Sequence, residues 1–169
     1  MTMPGWYDIM GFADLSARND EVGIKHSQAY IHSLVEAEIS SGIPSTRIVL
    51  CGFSQGGAIS LFSGLTSPKP LGGIVGLSCY LLLHDTFKKF IPQDDPNRET
   101  PIFMGHGDID SLVLPKWGQM SKDMLSADGY KVDLKFYKGL GHSADPEEID
   151  DVEKYLNERI PPLEDKQAL

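Results

Sequence analysis

Apolar residues along this chain alternate between two spacings. Between residues 20 and 41, Ile24, Ile31, Val35 and Ile39 fall near one helical face, with Leu34 beside them, and Gly42 and Pro44 then stop the helix. Residues 47–51 (RIVLC) are a short β-branched run with the length and composition of a buried strand. Helical spacing returns over 56–65 through Ala58, Leu61, Phe62 and Leu65. Residues 73–78 and 101–105 read as further buried strands. Trp117, Met120 and Met124 mark a helix over 115–127, closed by Asp128-Gly129. Val132, Leu134 and Phe136 alternate in a strand with one polar face, and Ile149, Val152 and Tyr155 face inward from a helix over 146–160. Strands that are short and apolar, separated by crossovers long enough for helices, predict an α/β fold. Its sheet would be mostly parallel, with helices on both faces. The C-terminal ends of such strands share one edge, where an α/β fold places its site.

With 169 residues and 18.6 kDa the chain fits one domain, expected over 1–162, with a frayed tail at 163–169. Hydrophobic residues make up 41% and charged residues 23%, which sets it apart from disordered chains. Asp+Glu outnumber Lys+Arg by 24 to 15, a net charge of −9, and the one basic doublet is Lys88-Lys89. That balance repels phosphate backbones and argues against nucleic-acid binding. Cys51 and Cys79 lie in apolar runs and are expected as buried thiols in a reducing compartment. The first ten residues carry neither a basic nor an apolar targeting region, and the apolar stretch 71–83 is too short to cross a bilayer.

Gly52-Phe53-Ser54-Gln55-Gly56 is a G-x-S-x-G run that follows the strand RIVLC and opens the next helix. A nucleophile elbow needs that context, because the sharp turn lifts the serine hydroxyl to the sheet edge beside a helix N-terminus. A serine nucleophile also needs a base, and the base needs an orienting acid. Of five histidines, His26 and His32 precede the elbow on the first helix and read as surface residues. Spacing leaves His84 open, and His106 reads as packing a strand end. His142 lies in the glycine-flanked loop 139–143 after a strand and is the best base. Asp108 and Asp110 both follow the strand at 101–105, and spacing does not choose between them. The order Ser54, Asp, His142 is that of the α/β-hydrolases.

These residues resemble a particular family. Gly52-Phe53-Ser54-Gln55-Gly56-Gly57-Ala58, Leu77-Ser78-Cys79, His106-Gly107-Asp108-Ile109-Asp110 and Gly141-His142-Ser143 are similar to segments of the acyl-protein thioesterases. Those enzymes form part of the lysophospholipase/carboxylesterase branch of the α/β-hydrolases. Met3-Pro4-Gly5-Trp6-Tyr7-Asp8-Ile9 and Gly23-Ile24-Lys25 add to the likeness. The resemblance implies Ser54 as nucleophile, His142 as base and Asp110, the second Asp of its motif, as the acid. An oxyanion-hole N–H would come from Gln55. It further implies hydrolysis of long-chain acyl thioesters on S-acylated proteins and of lipid esters such as lysophospholipids, in the cytoplasm and also the nucleus. It implies no metal and no organic cofactor.

Two segments depart from the family pattern, Cys79-Tyr80-Leu81-Leu82 and Asp110-Ser111-Leu112-Val113-Leu114-Pro115. Both border the acyl site in relatives, so Leu81, Leu112 and Val113 are expected to touch substrate. Family members also begin with further strands and a His-Gly-x-Gly-Asp-like loop, whereas residues 1–53 hold neither His-Gly nor Gly-Gly. The chain is therefore expected to be N-terminally short, with strand 47–51 at an exposed sheet edge. The competing reading is a non-catalytic, hydrolase-derived chain that binds lipid or a partner.

Overall fold

The structure is a computed structural model and describes residues 5–9 and 20–163. The beginning of the Met3–Ile9 segment and the tail beyond Leu163 lie outside the described residues. Four strands, β1 (Val49–Phe53), β2 (Gly73–Leu77), β3 (Ile102–Gly107) and β4 (Val132–Tyr137), form one parallel sheet in the order β1-β2-β3-β4. Helices α1 (Glu21–Ser40), α2 (Gln55–Leu65) and α3 (Pro115–Ala127) lie on one side. Helix α4 (Pro146–Arg159) covers the other. The α/β class read from the spacing is what the chain adopts.

Period-two alternation divides the core. Ile74, Ile102 and Met104 join the larger cluster with α1, α2, Leu125 and Tyr130. Their neighbours Val75, Leu77 and Phe103 pack on Val152 of α4. Helix α1 starts where Asp20 Oδ1 accepts the Gly23 N–H at 2.9 Å. It buries Ile24, Ile31 and Val35, while Leu34 is exposed. The connection from β2 to β3 holds a short 3₁₀ turn (Phe87–Phe90) and no α-helix. Pro92, Pro96 and Pro101 interrupt helical hydrogen bonding there, and the segment contributes Leu81, Leu82, Leu83 and Phe87 to the core instead.

Several expected details shift. Strand β1 begins two residues later than RIVLC suggests, because Ser45–Arg47 closes a 3₁₀ turn after Pro44. Strand β3 runs on to Gly107, so His106 lies inside the strand. Among the described residues β1 pairs with β2 alone, and it forms the expected open edge. Cys51 is consequently exposed rather than buried, whereas Cys79 is buried. An apolar groove of about 330 Å³ runs between this edge and α1, lined by Trp6, Val35, Leu50 and Ile59 among others. In β4 Phe136 is exposed along with Asp133, and the buried side chain is Tyr137. In α4 Glu148 and Val152 are buried and Tyr155 packs inward as expected, while Ile149 is half exposed.

Candidate active site

Three strand ends meet around Ser54. Strand β1 delivers it into a turn where its own backbone sits at φ 55°, ψ −122°, a conformation L-residues adopt only under constraint. The constraint is close packing of strand on helix. A Cβ on Gly52 would overlap the Gly56 carbonyl, and one on Gly57 would come within 2.8 Å of the Gly52 carbonyl oxygen. At Gly56, the second glycine of G-x-S-x-G, a Cβ would meet nothing closer than Trp6 Nε1 at 3.8 Å. The tight approach therefore belongs to Gly52 and Gly57.

Ser54 Oγ lies 2.9 Å from His142 Nε2, and His142 Nδ1 lies 2.8 Å from Asp110 Oδ2. Asp110 is buried at the end of β3, and its Oδ1 accepts the N–H groups of Leu112 and Val113, each at 2.9 Å. Burial works to raise the Asp110 pKa. The His142 hydrogen bond and the two backbone N–H donors outweigh it and hold the carboxyl below its usual range. A fixed negative charge thus stands behind the imidazole at neutral pH. The Phe53 ring rests on the His142 ring with centroids 4.8 Å apart. Asp108, the competing acid, instead accepts the Gly139 N–H at 2.6 Å and so fastens the glycine loop ahead of His142.

Gln55 opens α2, where backbone N–H groups have no intrahelical acceptor. Its side chain ties down the N-terminal segment: Oε1 accepts the Trp6 N–H at 2.9 Å, and Nε2 donates to the Tyr7 carbonyl at 2.6 Å. That brings Trp6 to the rim of an open cavity of about 550 Å³ above Ser54, shared with Phe53 and Gly56. Of the expected substrate contacts, Leu112 is 43% exposed beside the acid turn. Leu81 is 1% exposed in the core and donates its N–H to Ser121 Oγ, and Val113 is 3% exposed with its backbone engaged. Neither Leu81 nor Val113 offers a substrate any surface. The apolar run around Leu81 belongs to the core instead.

The other histidines are placed elsewhere. His84 pairs with Asp85 at 3.2 Å, and His32 Nε2 lies 2.8 Å from the Ser63 carbonyl, joining α1 to α2. Among the described residues no three His, Cys, Asp or Glu side chains cluster closely enough to hold a metal ion.

Sequence periodicity misses one ionisable group close to the His142 loop. Glu148, in the first turn of α4, is fully buried and neither carboxylate oxygen has a partner. Oε1 occupies the space where a Cβ on Gly105 would sit, 2.5 Å away. Burial, with Asp145 adding repulsion, pushes its pKa up to about 7. A carboxyl raised on folding contributes stability that is fully present below its unfolded pKa and lost as pH rises through about 7. Glu148→Gln is therefore expected to match the wild type near pH 5 and to melt several degrees higher at pH 8. The gain corresponds to on the order of 3 kcal/mol. Thermal melts across that range check this, and an unchanged pH dependence would contradict it.

Comparison with known proteins places this geometry. The sequence model of the phospholipase/carboxylesterase family matches residues 1–160. Acyl-protein thioesterase 1 of Neurospora crassa is 54% identical over 170 residues, covering 98% of this chain and 69% of that protein. Acyl-protein thioesterase 1 of Aspergillus fumigatus is 44% identical over 175 residues, covering 99% and 73%. Among solved structures, SOBER1 of Arabidopsis thaliana superposes with a TM-score of 0.84 at 30% identity, over 92% of this chain and 74% of that one. Acyl-protein thioesterase 2 of Zea mays gives 0.80 at 31%, over 92% and 72%. A match over nearly the whole chain, at identities that fix both family and fold, means that this chain belongs to the phospholipase/carboxylesterase family.

Proposed function

We propose that this chain is a serine hydrolase that releases long-chain acyl groups from S-acylated proteins, and that also cleaves oxygen esters such as lysophospholipids. The observation that carries the reading is the hydrogen-bonded line from Asp110 through His142 to Ser54. The acyl-protein thioesterases among its relatives, 44–54% identical, favour the thioester as substrate class.

The chemistry follows from the atoms in place. His142 Nε2 takes the Ser54 proton as Oγ attacks the acyl carbonyl. The Gln55 N–H, at the positive end of α2, stabilises the oxyanion that develops. Asp110 holds the Nδ1 proton and offsets the imidazolium charge. Collapse breaks the carbon–sulfur bond, His142 returns the proton to the leaving thiol, and the acyl group remains on Ser54 as an ester. Water, activated by the same histidine, attacks that ester, and the fatty acid leaves as Ser54 is regenerated. These steps draw on the Ser54, His142 and Asp110 side chains, the Gln55 backbone N–H and water. Trp6 and Phe53, both more than one-third exposed at the cavity rim, supply apolar faces for the first carbons of the chain. No helix among the described residues is long and apolar enough to cross a membrane. The resemblance to acyl-protein thioesterases favours contact with lipid through the substrate, in the cytoplasm.

The test compares a palmitoylated cysteine peptide with a short-chain oxygen ester. We expect fatty acid and free thiol from the peptide in equal amounts, with both substrates competing for one site. Turnover of the short ester without deacylation of the peptide would identify a short-chain carboxylesterase. Turnover of neither would overturn the reading.

A further inference from the structure

We propose that His106 is a positioning residue for the acid–base pair: it clamps the turn that carries Asp110 and so reserves that carboxylate for His142. This inference rests on the reading of Ser54, His142 and Asp110 as a hydrolase site. Asp110 lies near two imidazoles. His142 Nδ1 is at hydrogen-bond distance from Oδ2, and His106 Nε2 approaches the same oxygen to 3.7 Å, too far for a hydrogen bond. What holds the second ring back is the Val113 carbonyl, 2.8 Å from His106 Nε2. A carbonyl can only accept, so the Nε2 of His106 must carry the proton and donate it there.

That one bond closes a ring of contacts around the acid. Val113 accepts from His106 through its carbonyl and donates its N–H to Asp110 Oδ1, as Leu112 does. The imidazole thereby pulls on the same turn that grips the carboxylate, and Oδ2 is left aimed at His142. The opposite edge of the His106 ring is seated as tightly. A Cβ on Gly118 of α3 would come within 2.7 Å of His106 Nδ1, which is buried with no partner. A proton on Nδ1 would have no acceptor, so the ring is held neutral. Burial lowers its pKa in the same sense, outweighing the Val113 hydrogen bond and the Asp110 charge, which both pull upward. A cationic His106 would compete with His142 for the Asp110 charge, and its seat prevents that.

Two variants of His106, with the wild type beside them, test this in the full chain. In His106→Leu the Val113 carbonyl loses its donor and the Asp110 turn loosens. We expect kcat to fall about 10²-fold, as for a misplacement of roughly an ångström, with KM within about twofold. The far-downfield proton resonance of the His142–Asp110 hydrogen bond should weaken in parallel. His106→Gln places an amide N–H where Nε2 stood and should recover most of the lost kcat and the resonance. A folded Leu variant with wild-type kcat, or Leu and Gln variants equally impaired, would overturn the proposal. Should the Leu variant fail to fold, nitrogen NMR of the wild type decides. His106 is expected as the neutral Nε2–H tautomer at neutral pH, and an Nδ1–H tautomer or a cation there would overturn it. The tautomer needs no turnover to be read. Failure of the hydrolase reading appears separately, as a wild type that neither turns over ester nor labels at Ser54.

Discussion

Ser54→Ala is expected to eliminate ester and thioester turnover, with a loss in kcat of roughly 10⁶-fold and the fold unchanged. The hydroxyl is the only atom removed. The backbone keeps its strained φ of 55°, which an alanine tolerates no worse than a serine, and the Gly52–Gly57 contact that enforces it is untouched. His142 would lose the donor to Nε2 but remain bound to Asp110. Melting temperature should therefore move by no more than a few degrees. Steady-state kinetics and a thermal melt on the same preparation check both halves. Retention of most of the activity would mean that another group attacks the substrate.

The two aspartates of the turn after β3 should separate by about three orders of magnitude. Asp110→Asn replaces the charge behind His142 with an amide and lets the imidazole settle in the wrong tautomer, a change that typically lowers kcat by about 10⁴-fold. Its Oδ1 can still accept from Leu112 and Val113, so the fold should persist. Asp108→Asn keeps a carbonyl to receive the Gly139 N–H and leaves the line from Asp110 to Ser54 intact. We expect it to cost less than about tenfold, through loosening of the glycine loop alone. Measuring kcat for both variants settles the assignment. The reverse order would place the orienting carboxylate on Asp108.

The alternation of strand-like and helical runs made the α/β class legible, because parallel strands covered on both faces must be short and apolar. Ser54 and His142 were legible as candidates because glycines punctuate their turns, while the choice of Asp110 over Asp108 came from the family resemblance alone. What could not be read depends on neighbours. Cys51 looks like a core residue in sequence and is exposed, as Phe53 is, because β1 has a hydrogen-bonded neighbour on one side only among the described residues. Phe53 then covers the His142 ring. The phase of α4 is set by its cap and by ion pairs: Asp145 accepts the Glu148 N–H, and Lys135 of β4 binds Glu147 and Asp151. That rotation turns Glu148 inward and Ile149 out, against hydropathy. His106 read as the filler of a strand end because nothing in a sequence shows that a carbonyl seven residues later will accept its hydrogen bond.

The most direct test of the central claim is to treat the wild-type chain with a fluorophosphonate and map the adduct by peptide mass spectrometry. An activated serine reacts and an ordinary hydroxyl does not. The account predicts one adduct per chain, located on Ser54, formed at a rate that falls steeply in Asp110→Asn and is lost in Ser54→Ala. An unlabelled wild type, or an adduct on any other residue, would contradict it.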